Sequence, residues 1–301
     1  MSRRLVIISP CRDEAEYFHF VFDSVVNQTC LPDRWIIVND GSTDATPEIL
    51  ARLTAAYPWI EVVHRQRTGK RQLGPGVVAA FNAGLSQLGK DPYDVIAKLD
   101  CDLEFDPDCF SRIMALFDDP RIGIASAPIY IRMKNKIVPV RHAKYHTPGA
   151  AKFYCRACFQ AIGGLQSIYG WDILDETDAR RLGWRTYSDP AASIISPRPE
   201  GAALGRWGVF KGRIGWGRCA YAIGSHPFFA LARGIFRMFE RPWILGGIMF
   251  LWGFFSGKFQ SGLQRITNPD LIKYLRQEQM YRLFHGNRLS YLEDHHKQVK
   301  P

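Results

Sequence analysis

Asp100-Cys101-Asp102 closes the run Asp94-Val95-Ile96-Ala97-Lys98-Leu99, which has the apolar composition of a buried strand. Side chains two apart on a strand point to one side. Both carboxylates are therefore expected at the strand's C-terminal end, where open α/β sheets bind ligands. Two oxygen ligands with room left for phosphate oxygens suit Mg²⁺ or Mn²⁺. A polar turn would carry the same residues, so the rest of the chain has to supply the weight. Asn39-Asp40-Gly41-Ser42-Thr43-Asp44 ends an earlier apolar run, Trp35–Val38. An acid there can accept hydrogen bonds from a base or ribose, and Gly41 lets the backbone approach closely. Ser42 or Thr43 is placed to cap the next helix.

The elements that must position these acids alternate. Leu5–Ser9, Trp35–Val38, Ile60–Val63 and Val95–Leu99 read as strands. Between them, helical spacing covers Glu14–Asn27, Thr46–Tyr57 with Pro47 in its first turn, and Val77–Leu88. This order predicts an α/β fold, a mainly parallel sheet with helices on both faces. Beyond about residue 121, Ile122–Pro128 and Ile137–Val140 are expected as strands of a mixed sheet. Ala150–Ile162 is expected as a helix ended by Gly163-Gly164, and Asp175–Leu182 as a helix ended at Gly183. Residues 1–225 and 226–301 read as two regions.

The net charge of +10 is unevenly placed. Residues 196–301 hold 16 Lys+Arg against 6 Asp+Glu, which is the whole excess. A local basic excess points to a polyanionic partner. The cations are interleaved with Trp, Phe and Gly and form no nucleic-acid motif, so a membrane surface is favoured over nucleic acid. Trp243–Gly257 is free of charge for fifteen residues, fewer than the roughly twenty of a spanning helix. His226–Glu240 before it is amphipathic. An interfacial or re-entrant hairpin in residues 226–259 is the expectation, with a buried helical pair and a full span as rivals. Residues 269–301 read as a charged helical tail. Seven cysteines show no disulfide spacing, and Cys155-x-x-Cys158 has no second pair to complete a zinc site. Reduced thiols fit a cytosolic setting. The basic start, Met1–Arg4, is followed by too short an apolar run for a signal peptide.

Four strings in order resemble the family 2 glycosyltransferases, nucleotide-sugar enzymes of GT-A fold. Ile7-Ile8-Ser9-Pro10-Cys11-Arg12-Asp13-Glu14 is similar to the family's first strand and Pro-x-x-Asn-Glu loop, with Asp13 in place of Asn. Residues 39–44 resemble its Asp-Asp-Gly-Ser-Thr-Asp, with Asn39 for the first Asp. Gly76–Gly84 is similar to its Gly-rich helix ending in Asn-x-Gly, and Asp100-x-Asp102 to its metal signature. The resemblance implies that Pro10, Arg12 and Glu14 line the nucleoside pocket and that Asp40 with Gly41 meets the base. It also implies that Asp100 contacts ribose or metal, that Asp102 holds Mn²⁺ or Mg²⁺ on the diphosphate, and that Arg71 and Gly74 face the phosphates. A solvated basic connection is the other reading of that loop.

The family's Glu-Asp pair before a Gly-aromatic-Arg ending corresponds here to Gly170–Asp178 before Gly183-Trp184-Arg185. Asp172 and Asp175 are the candidate bases, Glu176 a third, and helix capping the alternative use of all three. Arg213 or Arg218 is expected to cover the diphosphate, with Gly205–Gly217 a mobile lid or an ordinary basic loop. The Gln-x-x-Arg-Trp motif of processive synthases is not evident, which favours transfer of one sugar. The implied reaction is inverting and metal-dependent, with a nucleoside-diphosphate sugar, UDP commonest, as donor. The implied acceptor is a polysaccharide or polyprenyl-linked glycan at the inner face of the cell membrane. A nucleotidyltransferase is disfavoured because Pro10-Cys11-Arg12-Asp13 stands where its Gly-rich basic signature belongs. A non-catalytic nucleotide-sugar-binding protein is disfavoured by the retained acids.

Overall fold

β-branched runs closed by polar turns fold as strands, and longer segments with apolar residues every third or fourth position cover them as helices. The computed structural model describes residues 3–66, 74–133, 136–140, 142–198, 208–240 and 242–286. The chain opens with β1 (Leu5–Cys11), α1 (Phe18–Val26), β2 (Arg34–Asn39), α2 (Thr46–Ala56), β3 (Ile60–His64), α3 (Pro75–Leu88) and β4 (Val95–Leu99). It continues with β5 (Glu104–Phe105), α4 (Cys109–Leu116), β6 (Ile122–Ser126), β7 (Ile129–Met133), β8 (Lys136–Pro139), β9 (Ala151–Cys155) and α5 (Arg156–Ala161). Then come α6 (Trp171–Arg181), β10 (Arg185–Ser188), β11 (Ile194–Ser196), α7 (Gly208–Ala222), α8 (Pro227–Arg237), α9 (Ile244–Ser256) and α10 (Pro269–His285). By contacts, Met1–Leu165 with Trp184–Pro199 form one compact unit, and Gln166–Gly183 with Glu200–Pro301 a second.

The first unit holds a seven-stranded sheet in the order β10-β6-β9-β4-β1-β2-β3. β1, β2 and β4 are buried almost throughout, as parallel strands covered on both faces must be. The chain runs outward from β1 to β2 and β3, then crosses back to place β4 on the other side of β1. This reversal puts the C-terminal ends of β4, β1 and β2 side by side at a switch point, the place where such sheets bind ligands. α3 lies tightly on the sheet through Gly84, where a Cβ would sit 2.6 Å from Ile8 and 3.0 Å from Val38. Trp35, Phe18, Phe110 and Phe153 fill the main core. A second sheet runs β5-β11-β7-β8.

Ala150–Ile162 is not one helix. Residues 151–155 form β9, antiparallel to both β4 and β6, and only Arg156–Ala161 is helical. Phe153 and Tyr154 favour a pleated, buried position, and pairing on both edges satisfies the backbone there. The first helix starts at Phe18, four residues later than the spacing predicted, because Glu14 and Ala15 donate their backbone N–H groups to Thr46 and Asp44.

The second unit is built from α6–α10. Residues 208–217, expected as a lid or loop, are the first turns of helix α7; Gly205 to 207 lie outside the described residues. α7 and α9 meet at glycines: a Cβ on Gly217 would be 2.0 Å from the Phe250 carbonyl oxygen, and one on Gly253 2.1 Å from that of Ile214. Phe250 and Phe254 of α9 are buried with Ala220 and Ala230, whereas other large side chains of α8, α9 and their ends face outward. Phe228, Phe236 and Phe239 of α8 and its end are 67%, 65% and 75% exposed; Trp252 is 66% and Phe259 84%. α9 has thirteen residues, about 20 Å of helix against a hydrocarbon core of about 30 Å. No helix among the described residues is long and apolar enough to cross a membrane.

Candidate active site

At the end of β1 the chain turns through Asp13, in the left-handed region at φ 53°, and at the end of β2 through Gly41 at φ 74°. The two turns are laced together. Asp13 Oδ1 accepts from Thr43 N at 2.7 Å, Asp13 N donates to Ser42 Oγ at 3.0 Å, and Glu14 N to Thr46 Oγ1 at 3.0 Å. Ser42 and Thr43 therefore do not cap the following helix; Asp44 Oδ1 instead accepts from Thr46 N at 3.0 Å. Burial raises the Asp44 carboxyl, but bonds from Thr46 and Ala15 outweigh it and hold its pKa below the ordinary value. Asn39 accepts from Ser42 N and so helps close the turn. The lacing holds the Pro10–Glu14 turn alongside the turn that follows β2, with Arg12 Nε 3.6 Å from Asp13. Asp40 is buried, its N–H donates to Cys11 O at 2.8 Å, and its carboxylate pairs with Arg65 at 2.6 Å.

At the end of β4, Cys101 turns inward and its Sγ donates to Pro10 O at 3.6 Å. Asp100 and Asp102, on either side of it and beyond the end of β4, are partly exposed. Lys98, buried in β4, pairs with Asp100 and donates to Gly149 O at 2.7 Å. Asp102 faces a cation absent from the expected set: Arg198, whose Nε is 3.4 Å from Asp102 Oδ2 and whose Nη2 pairs with Glu14. Its guanidinium lies over Tyr17, 4.5 Å from the ring centre. Gly74 precedes α3 with φ 73°. Arg71 lies outside the described residues.

The remaining candidate acids stand on α6 in the second unit, after Gly170 at φ 95°. Asp172, in the first turn, is partly exposed. Asp175, one turn on, is buried and accepts from Glu176 N at 2.6 Å. Burial raises the Tyr169 hydroxyl to about 12, reinforced by Cys219 and the Asp172 charge. Glu176 and Glu278 flank the buried Arg180, which is bonded to Glu278 at 2.6 and 3.0 Å and ties α6 to α10. Arg213 is buried within the same unit, 3.6 Å from Glu240 and over Trp216 at 4.5 Å.

Among the described residues no three His, Cys, Asp or Glu side chains form a metal-holding cluster. Two partly exposed carboxylates at one strand end nonetheless fit Mg²⁺ or Mn²⁺, which keep water and phosphate oxygens as their other ligands. Sequence reasoning missed Tyr17, Arg65, Lys98 and Arg198. Lys98 carried a signal, a charge inside an apolar strand; Arg198 carried none, standing 96 residues from Asp102.

Switch-point acids on a sheet of this order define a GT-A glycosyltransferase fold, and solved structures agree. A mannosyltransferase from Pyrobaculum calidifontis in complex with GDP-Man and Mn²⁺ aligns over 98% of this chain and 85% of its own, with TM-score 0.57 and 17% identity. TarS residues 1–349 from S. aureus aligns over 97% and 89%, with TM-score 0.53 and 14% identity. GalNAc-T7 with UDP, GalNAc and Mn²⁺ aligns over 95% and 58%, with TM-score 0.59 and 13% identity. Residues 6–164 match Glycosyl transferase family 2, and the chain belongs to that family. Among curated relatives, poly-beta-1,6-N-acetyl-D-glucosamine synthase of Staphylococcus aureus is 27% identical over 251 residues, 75% of this chain and 57% of the relative. The glycosyltransferase YibD of Escherichia coli is 30% identical over 128 residues, 42% of this chain and 34% of the relative. The chain thus spans just over half the length of the staphylococcal synthase.

Proposed function

We propose that the protein is an inverting, metal-dependent transferase that moves one sugar from a nucleoside-diphosphate sugar, UDP the first choice, to a hydroxyl of a glycan or polyprenyl-linked acceptor. The observation that carries this reading is the convergence of Glu14, Asp40, Asp100 and Asp102 on the ends of β1, β2 and β4. Pro10, Arg12, Glu14, Asp40 and Gly41 take the nucleoside, with Arg71 and Gly74 toward the phosphates. Asp100 and Asp102 hold Mn²⁺ or Mg²⁺, which when bound would neutralise charge on the departing diphosphate. Asp172 is the preferred base over Asp175, because it is partly exposed whereas Asp175 is buried and bonded to Glu176 N. The acceptor oxygen attacks the anomeric carbon from the face opposite the diphosphate. The new C–O bond forms as the bond to the diphosphate oxygen breaks, and the acceptor's proton passes to Asp172. Attack from that face inverts the centre.

The transferase function is assigned to residues 1–225. Residues 226–259 are assigned to an anionic membrane surface at the inner face of the cell membrane. Exposed Phe228, Phe236, Phe239 and Trp252 support this, as do exposed Lys258, Arg265 and Lys273 nearby in the chain. The relatives named synthases make polymerisation the rival reading, and product length separates the two.

The test incubates a panel of nucleotide sugars with the full chain, with and without Mn²⁺, and scores released nucleoside diphosphate. Metal-dependent release from one donor is expected. Asp102→Ala is expected to abolish it, and Asp172→Ala to slow acceptor-dependent transfer about 10²–10⁴-fold. Full activity in either variant would remove that residue's role. Donor binding without release or transfer would leave a binding protein, and formation of nucleoside triphosphate and sugar 1-phosphate when pyrophosphate is added would mark a nucleotidyltransferase.

A further inference from the structure

Arg198 follows β11 and reaches back to two acids from different loops. Nη2 pairs with Glu14, Nε approaches Asp102 at 3.4 Å, and the guanidinium plane is laid on Tyr17. The side chain is only 13% exposed, and Nε has no hydrogen-bond partner among the described residues. A buried N–H near an anion but not aligned with it is poorly satisfied, and a guanidinium fork fits two phosphate oxygens better than one oblique carboxylate. The Arg198 charge also stands against the carboxylate proposed for the metal. Two cations drawn to one carboxylate repel each other at short range.

We infer that Arg198 is a donor-diphosphate ligand held, before the donor binds, by Glu14 and against Asp102, the carboxylate that also takes the metal. Metal alone competes with Arg198 for Asp102. The diphosphate, bringing its own negative charge, draws Arg198 away and leaves Asp102 to the metal. This rests on the glycosyltransferase reading, and it deepens that reading by giving the diphosphate a protein cation that Arg213, paired inside the helical unit, does not supply.

The inference predicts effects of opposite sign, which a merely structural arginine would not produce. Calorimetric titrations of the full chain with MnCl₂ alone, and with UDP, GDP or dTDP at saturating Mn²⁺, read both. Arg198→Ala is expected to bind Mn²⁺ alone about threefold more tightly, having lost a competing ion pair. It is expected to bind the preferred nucleoside diphosphate about tenfold or more weakly, having lost a charge-assisted fork. Arg198→Lys, with a charge but no planar fork, should keep near-native Mn²⁺ affinity and still bind the diphosphate poorly. Unchanged nucleotide affinity in Arg198→Ala, or weakening of both ligands with a lowered melting temperature, would overturn the inference while leaving the transferase reading in place. Failure of the native chain to bind any of the three nucleotides would overturn that reading, and the inference with it.

Discussion

Cys155 shows how one backbone position sets a side chain's chemistry. It caps α5, and its sulfur accepts from Cys158 N at 3.4 Å. The Cys158 side chain contributes most, and burial only partly opposes it, so the Cys155 thiol falls from the ordinary value near 9 to about 7. Burial pushes Cys219 the other way, to about 12, and Cys101 well up too. Because only the thiolate is nucleophilic, Cys155 should be alkylated first by iodoacetamide. Its rate should rise through pH 7 and level off above it, as peptide mass spectrometry would report; no reaction below pH 9 would contradict the assignment. At this scale the sequence was informative where position is local. Asp100 and Asp102 flank a buried Cys101 directly after β4, so their place at the strand end follows from the apolar run before them. Ser42 and Thr43 bind Asp13 instead of capping a helix, a pairing about thirty residues apart in another loop, and periodicity contains no information about such pairs.

Elements were legible where both their period and their neighbours agreed. β1 to β4 and α1 to α3 fall near their expected places because each apolar run is buried by the next segment of chain. β9 was not legible: it runs directly into α5, and its pairing with β4 and β6, distant in sequence, is what separates strand from helix. The glycines of residues 208–257 carried a signal that composition alone did not resolve. Gly217 and Gly253 are contact points between α7 and α9, where backbone meets backbone. Gly217→Val would drive a side chain into the Phe250 carbonyl and should cost about 3 kcal/mol or more. Gly212→Ala, inside α7 where a Cβ meets nothing within 4 Å, should stabilise by up to about 1 kcal/mol. Chemical denaturation of both variants checks the contrast; equal midpoints would mean that the two helices separate easily.

Across the whole molecule, charge and apolar surface are segregated in the same direction. The basic excess lies after residue 195, and so do most of the strongly exposed aromatics. A groove of about 650 Å³ in the second unit is lined by His226, Arg265, Lys273 and Arg276, with Ile266, Ile272 and Met280. Patches of this kind mark interaction surfaces. The full chain is expected to float with vesicles containing anionic phospholipid, and less with neutral ones. Phe236→Glu with Trp252→Glu should abolish flotation without lowering the melting temperature. Flotation unaffected by the double substitution, or a dimer that it dissociates in the absence of lipid, would assign this surface otherwise.

The antiparallel strand β9 has a consequence for how the protein is made. It is flanked by β4 and β6, so the growing sheet ends in an unpaired β4 edge from Leu99 until Ala151 has been synthesised. At ordinary elongation rates of about 5–20 residues per second, that edge stays open for roughly 3–10 seconds. Exposed strand edges recruit other strands. The newborn chain is therefore most vulnerable to mispairing with its neighbours on a polysome midway through translation, before any of its helical second half exists.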